Sequence, residues 1–316
     1  MPQITRRVFD ALGFDFSSKE SIPSPATTLQ VQKFRFLRIL FGCIWLYDAW
    51  NFSSGATKHA IAQFLGLPFS SLLVHLAGTA IMFVGLYLGL ALISGKGMRS
   101  ALWVGSTFLV IMWIWVERGG DFNPATGGTD AGVAPPYLIA LILTYLTWRI
   151  GQPFAASGES ETHDATRSWM EAARVMFGFL WAWDAFFKLH PYFITHMTDF
   201  ISGAEAGQPA WIVAYQQTWV AVITHTSPVF VGIMSALTEV ALAWSLLTGK
   251  LLRLFLPIGF VFSLMIWSTA EGFGGPYGNG RNGMPGNMFG NAVIYAIIFA
   301  FFIVIYRQRI RPEKRV

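Results

Sequence analysis

Residues 174–190 read RVMFGFLWAWDAFFKLH and residues 38–54 read RILFGCIWLYDAWNFSS; overlaid, they share Arg, Gly, Trp and Asp at the same four positions. Arg38, Gly42, Trp45 and Asp48 thus recur as Arg174, Gly178, Trp181 and Asp184 with identical spacing. Further along, Gly78, Gly95, Lys96, Trp113 and Glu117 recur as Gly232, Gly249, Lys250, Trp267 and Glu271. After an irregular Gly/Pro/Asn-rich loop, Gly132 and Tyr137 recur as Gly290 and Tyr295. Self-similarity in a fixed order predicts one supersecondary unit used twice.

Composition says what kind of unit it is. The 316 residues are 54% apolar and 12% charged, with a mean hydropathy of +0.49. The charged share is about half that of a typical soluble domain, which excludes a cytosolic globule. Eight stretches, near 34–52, 69–94, 99–117, 133–149, 170–189, 226–248, 252–270 and 289–307, have the length and apolarity to cross a bilayer. A hydrocarbon layer of about 30 Å takes roughly 17–25 helical residues. The expected fold is an all-α membrane protein of eight transmembrane helices, arranged as two same-direction four-helix repeats. An even number of spans per half makes the halves enter the membrane alike, related by an axis along its normal.

The division follows: an N-terminal cytoplasmic or interfacial segment (1–33), a first repeat (34–149), a polar cytoplasmic linker (150–168), and a second repeat with longer outer loops (169–316). Residues 4–16 place Ile4, Val8, Phe9, Leu12 and Phe16 among charges; an interfacial helix and an unstructured tail are equal readings of them. The start of the chain lacks the pattern of a cleaved secretory signal and is expected to remain on the mature protein.

On this topology, eighteen of the 22 lysines and arginines fall on one side of the membrane, leaving Lys58, Arg118, Lys188 and Arg281 on the other. The positive-inside rule then puts both termini in the cytoplasm of a multi-pass cell-membrane protein. The net charge of +5 is accounted for as a topogenic signal with attraction to anionic headgroups, so no nucleic-acid partner is expected. The single cysteine, Cys43, cannot form an internal disulfide, and no Cys/His spacing suggests a metal site. Any redox centre would come from a partner.

The R-x3-G-x2-W-x2-D pattern of the first span of each half, and W-x3-E running into a Gly-rich loop after the third, resemble the DoxX/DoxD-like membrane proteins. The likeness is strongest in WAWDAFFKLHP (181–191) and EGFGGPYGNG (271–280). That family includes the small membrane subunit of thiosulfate:quinone oxidoreductase. The resemblance implies a four-helix unit and a quinone-linked setting.

The candidate site lies in the second half. Trp181, Asp184 and Lys188 share a helix stripe with Arg174. A rise of about 1.5 Å per residue puts Asp184 roughly 15 Å and Lys188 about 21 Å beyond Arg174. A charge at such depth costs on the order of 2.5–3.5 kcal/mol and calls for a partner. Lys188, four residues on, is the expected partner of Asp184; a structural pair and a functional one are equal readings. Glu239, mid-way along the sixth span, has no basic sequence neighbour and must be neutralised, solvated or paired across helices. The first half has Phe52 at the position of Lys188 and Gly85 at that of Glu239, so the special equipment belongs to the later copy.

Outer loops add Glu271, Tyr277, Asn279, Arg281, Asn282 and Asn287, matched in the first half by Glu117, Arg118, Asp121 and Asp130. Clustered glycines allow a tight cover with N–H groups aimed at a ligand, or a purely structural lid. No strand precedes this loop, so it is not a dinucleotide fingerprint. His190, His196 and His225 fall on the outer side without a compact ligand spacing, and no metal is expected there. Residues 192–224 mix Trp211, Trp219 and other anchors with polar residues, as short interfacial helices or a partner-covered segment would.

The leading expectation is a membrane subunit of a quinone-linked respiratory oxidoreductase with a quinone or small-anion pocket near the outer leaflet. Asp184, Lys188, Glu239 and Glu271 would act on the ligand, and Trp181, Tyr277 and Arg281 would bind it. The expected partners are the lipid bilayer and other membrane or redox subunits; self-association stays open. A non-catalytic assembly subunit and a small-solute or ion transporter are the alternatives.

Overall fold

Hydrocarbon offers no partner to a backbone N–H or C=O, so a chain this apolar must satisfy those groups within helices. The computed structural model describes residues 28–120, 131–151, 159–275 and 290–306, and its regular structure is entirely helical. The helices are α1 (Thr28–Phe52), α2 (Gly55–Leu65), α3 (Leu72–Ser94), α4 (Met98–Ile111, widening into a π turn over Met112–Val116), α5 (Ala134–Ile150) and α6 (Glu159–Lys188). There follow α7 (Pro191–Thr195), α8 (Met197–Ser202), α9 (Ala210–Thr226), α10 (Pro228–Thr248), α11 (Leu252–Thr269) and α12 (Ala292–Tyr306).

A helix thus lies at each of the eight apolar stretches. Four segments, Leu72–Ser94, Met98–Val116, Pro228–Thr248 and Leu252–Thr269, are long and apolar enough to cross a membrane by length and composition. They suggest a bilayer environment, as do side chains such as Phe36, Trp103, Phe186 and Val261, each at least 64% exposed. Such surface is costly in water and suited to acyl chains. The other four differ for visible reasons. The sequences of α1 and α6 begin in polar residues, and α5 and α12 have 17 and 15 residues. Most of α12 is buried within the protein, as is much of α5.

Close packing follows from small residues. α1 lies along α3, where a Cβ on Gly42 would meet Ile93 and the Gly89 carbonyl; α6 lies along α10, where one on Gly178 would meet Leu247. α5 and α12 touch each other, and each also touches the first helix of the other half: α5 meets α6 and α12 meets α1. One continuous core results, centred on Phe41, Trp45, Tyr137, Phe177, Trp181 and Phe299.

Two sequence expectations are adjusted. Most of the 150–168 linker is not loop, because α6 already begins at Glu159. The first half's shorter connection between α1 and α3 carries α2, capped by Ser54 and closed by Gly66. In the second half the outer connection holds α7, α8 and a 17-residue α9, longer than the short helices expected. Residues 4–16, Asp121, Asp130, Tyr277, Asn279, Arg281, Asn282 and Asn287 lie outside the described residues.

Candidate functional site

Two buried carboxyls, Asp48 and Asp184, occupy corresponding positions of the recurring sequence pattern. Asp48 on α1 accepts a hydrogen bond from the Tyr137 hydroxyl of α5 at 2.9 Å, and Asp184 on α6 accepts one from Tyr295 of α12 at 2.9 Å. An aromatic box surrounds each. Trp45 meets Tyr137 edge-on at 5.4 Å between centroids and Trp181 meets Tyr295 at 5.1 Å, with Phe41 and Phe177 completing the boxes at 5.7 and 5.2 Å. Edge-to-face packing of this kind holds the phenol rings in one orientation. The sequence expectation that Lys188 serves Asp184 is therefore revised: the last helix of the half supplies Tyr295 to it.

Lys188 is instead joined to Glu239. Its Nζ, at the C-terminus of α6, forms an ion pair with Glu239 Oε1 on α10. Glu239 is fully buried, while the Lys188 side chain keeps 22% of its surface exposed. Phe193 of α7 lies beneath the ammonium, its ring centroid 5.9 Å away, a cation–π contact. Glu239 Oε2 meets no hydrogen-bond partner among the described residues. The pair thus presents a partly exposed ammonium and a buried carboxylate oxygen that no described donor uses. A buried, half-satisfied pair of this sort contributes little to stability for what its desolvation costs.

Glu271 has a different task. At the end of the turn after α11 it accepts from the backbone N–H groups of Asn291 at 3.0 Å and Ala292 at 3.0 and 3.1 Å, capping the start of α12. Glu117 does the same for α5 through the Ala134 N–H at 3.2 Å. A carboxylate at a helix N-terminus satisfies orphan donors and complements the dipole. Gly132 and Gly290 make the geometry possible. Their φ values are +90° and +89°, and a Cβ on either would run into the Glu117 or Glu271 carboxylate. The two loops adjoin, since the Asn291 amide reaches the Gly132 carbonyl at 3.4 Å.

The outer segment of the second half is tied to the Glu271 turn. Gln216 on α9 donates to the Thr269 carbonyl at 2.8 Å, Gln208 donates to the Gly272 carbonyl at 3.2 Å, and Phe273 packs among Trp211, Tyr215 and Trp267. The histidines serve locally. His190 caps α7 by accepting from the Tyr192 N–H, and His196 stacks on Tyr192 at 4.2 Å. Among the described residues no three His, Cys, Asp or Glu side chains group as a metal site.

The structure therefore brings together Lys188 with Glu239, sets Trp181 and Asp184 in a separate aromatic box with Tyr295, and sends Glu271 to a helix cap. Tyr137, Tyr295 and Asn291 are the partners that sequence reasoning did not assign. The recurrence of Tyr137 as Tyr295, at one distance after Gly132 and Gly290, was the available signal. No family model, curated protein or solved structure matches the chain.

Proposed function

We propose that the chain is an eight-span membrane subunit built of two same-direction four-helix repeats with cytoplasmic termini, that it is DoxX/DoxD-like, and that it serves a quinone-linked respiratory oxidoreductase. The duplicated Asp–Tyr bonds and Glu caps support the repeat reading, since each pair joins residues that correspond in the recurring sequence pattern. The observation that carries the functional part is the Lys188–Glu239 pair, which joins α6 to α10 at positions where the first half has Phe52 and Gly85.

The donor set fits a quinone headgroup. Lys188 offers N–H donors to an acceptor oxygen, and the unused Oε2 of Glu239 can accept from a hydroxyl. A bound quinone would supply electron-acceptor chemistry that takes up protons with electrons. Lys188 would bind and orient the acceptor oxygen and favour negative charge developing there; Glu239 would hold or release a proton at Oε2. Trp181, Asp184 and Glu271, drawn into the ligand pocket from sequence, act in this reading as the frame behind it.

The test is substrate-dependent quinone reduction by the whole complex from native membranes. Lys188→Met and Glu239→Gln should lower turnover at least about tenfold, a loss of roughly 1.4 kcal/mol of transition-state stabilisation, with the subunit still assembled. Unchanged turnover in both variants would refute the role.

A second reading, an assembly subunit without catalytic contact, is favoured by one observation: Asp184 and Glu271 make the same bonds as Asp48 and Glu117 in the half that lacks the ion pair. Under it, the variants would reduce the amount of complex recovered and leave turnover per complex intact.

A further inference from the structure

Within α1 and α6, two corresponding arginines make the same backbone contact in different settings. Arg38 and Arg174 are both buried, and each donates to a carbonyl in the last turn of its neighbouring helix: Arg38 to Leu92 O at 2.7 Å on α3, Arg174 to Leu246 O on α10. A cation suits a helix C-terminus. One turn earlier, α6 carries Glu171 where α1 carries Arg35. Glu171 neutralises Arg174, accepting from Nη2 and Nε at 2.9 Å each, and also takes the Tyr306 hydroxyl at 2.8 Å. The second half thereby closes its own charge.

The first half does not. Arg35 adds a second positive charge, and Trp148, at the position matching Tyr306, supplies no acceptor from its ring. Neither Arg35 nor Arg38 has a carboxylate within 4 Å among the described residues. In place of the Glu171–Tyr306 network there is a cavity of about 250 Å³ lined by Arg35, Arg38, Ser94, Gly95, Thr147 and Trp148. That volume is several times the roughly 30 Å³ of a liquid water.

We infer that this cavity binds a phosphate-type anion, taken from the phosphodiester of an anionic phospholipid or from free phosphate. Two guanidinium forks match the oxygen geometry of a phosphate group, which can accept bidentate bonds from each. Arg38 is only 8% exposed, so its charge is weakly screened, while the exposed Arg35 stands at the mouth as the element that captures the anion. The Ser94 hydroxyl adds a neutral donor. In the eight-span topology the cavity lies at the inner boundary, where anionic headgroups concentrate. The bound anion plays the part that Glu171 plays in the second half.

The test uses the full chain in detergent, titrated in separate native mass-spectrometry series with phosphatidylglycerol, phosphatidylcholine and inorganic phosphate. Wild type should retain phosphatidylglycerol in preference to phosphatidylcholine. Arg35→Glu, which copies the arrangement of the second half, should weaken that binding about tenfold or more. Arg35→Gln, a smaller change of charge, should weaken it less and serves if Arg35→Glu lowers folded yield. Lys33→Glu changes the charge equally but lines a separate apolar groove with Phe260 and Val304, and should leave binding unchanged. Arg35-dependent binding of inorganic phosphate without that of phosphatidylglycerol would assign the site to the free anion; Arg35-dependent binding of the lipid assigns it to the headgroup. Lipid and phosphate binding indifferent to Arg35, or an equal loss in Lys33→Glu, would overturn the inference.

Discussion

The Tyr295 hydroxyl donates to Asp184 across 2.9 Å within a shell of Trp181 and Phe177, so a buried acid of α6 is held by α12. Removing the hydroxyl leaves a buried carboxyl short of its donor. Tyr295→Phe should therefore cost about 1–3 kcal/mol of stability, the usual range for stranding a buried polar group. Tyr137→Phe should cost a similar amount through Asp48. Denaturant unfolding in micelles reads both; a loss in one variant and none in the other would break the equivalence of the two boxes.

Gly132 and Gly290 combine a left-handed φ with a side chain position already filled by a capping carboxylate. Alanine at either should destabilise by more than about 1 kcal/mol, from the backbone strain alone, with displacement of Glu117 or Glu271 adding to it. Thermal unfolding checks this, and wild-type stability in both alanine variants would show that the carboxylates are not committed to capping.

The ion pair has its own signature. Taking one partner from a fully buried pair costs about 3–5 kcal/mol, and the partial exposure of Lys188 places the loss below that range. Lys188→Met and Glu239→Gln should each destabilise, whereas the double variant should recover much of the loss because no charge is left stranded. A double variant as unstable as the sum of the singles would mean the two side chains act independently.

Topology is open to labelling. In a Cys43→Ser background, Glu205→Cys and Lys58→Cys should react with a membrane-impermeant maleimide applied from outside, while Lys96→Cys and Lys250→Cys should react only after permeabilisation. Labelling of the two sets on one side would contradict the charge-derived orientation.

Much of this frame was readable in the chain, and the reason is local. Arg38, Trp45 and Asp48 sit at helical spacing on one stripe, as do Arg174, Trp181 and Asp184, so periodicity alone placed them on matching inward faces. The partners were harder. Lys188 lies four residues beyond Asp184 and looks like its counterion, yet its ammonium goes to Glu239, 51 positions away on α10. The register of α6 against α10, set by the close approach at Gly178, decides that choice, and no spacing within one helix encodes it. Tyr295 was missed as a hydrogen-bond donor because an aromatic in an apolar span reads as packing. Glu271 looked like an acid near a ligand because its donors are backbone N–H groups, which have no letter in a sequence. The helix α9 was legible only as a polar–apolar mixture, and its contacts to α10 and α11 supply the order that composition lacks.

The central claim is that the Lys188–Glu239 pair meets the ligand. The most direct measurement is turnover per assembled complex, following quinone reduction in native membranes with wild type, Lys188→Met and the Lys188→Met/Glu239→Gln double variant. Loss of turnover in both variants, persisting where the double variant regains stability, is the predicted result. Wild-type turnover per complex in the stable double variant would contradict it and leave the pair a structural tie between α6 and α10.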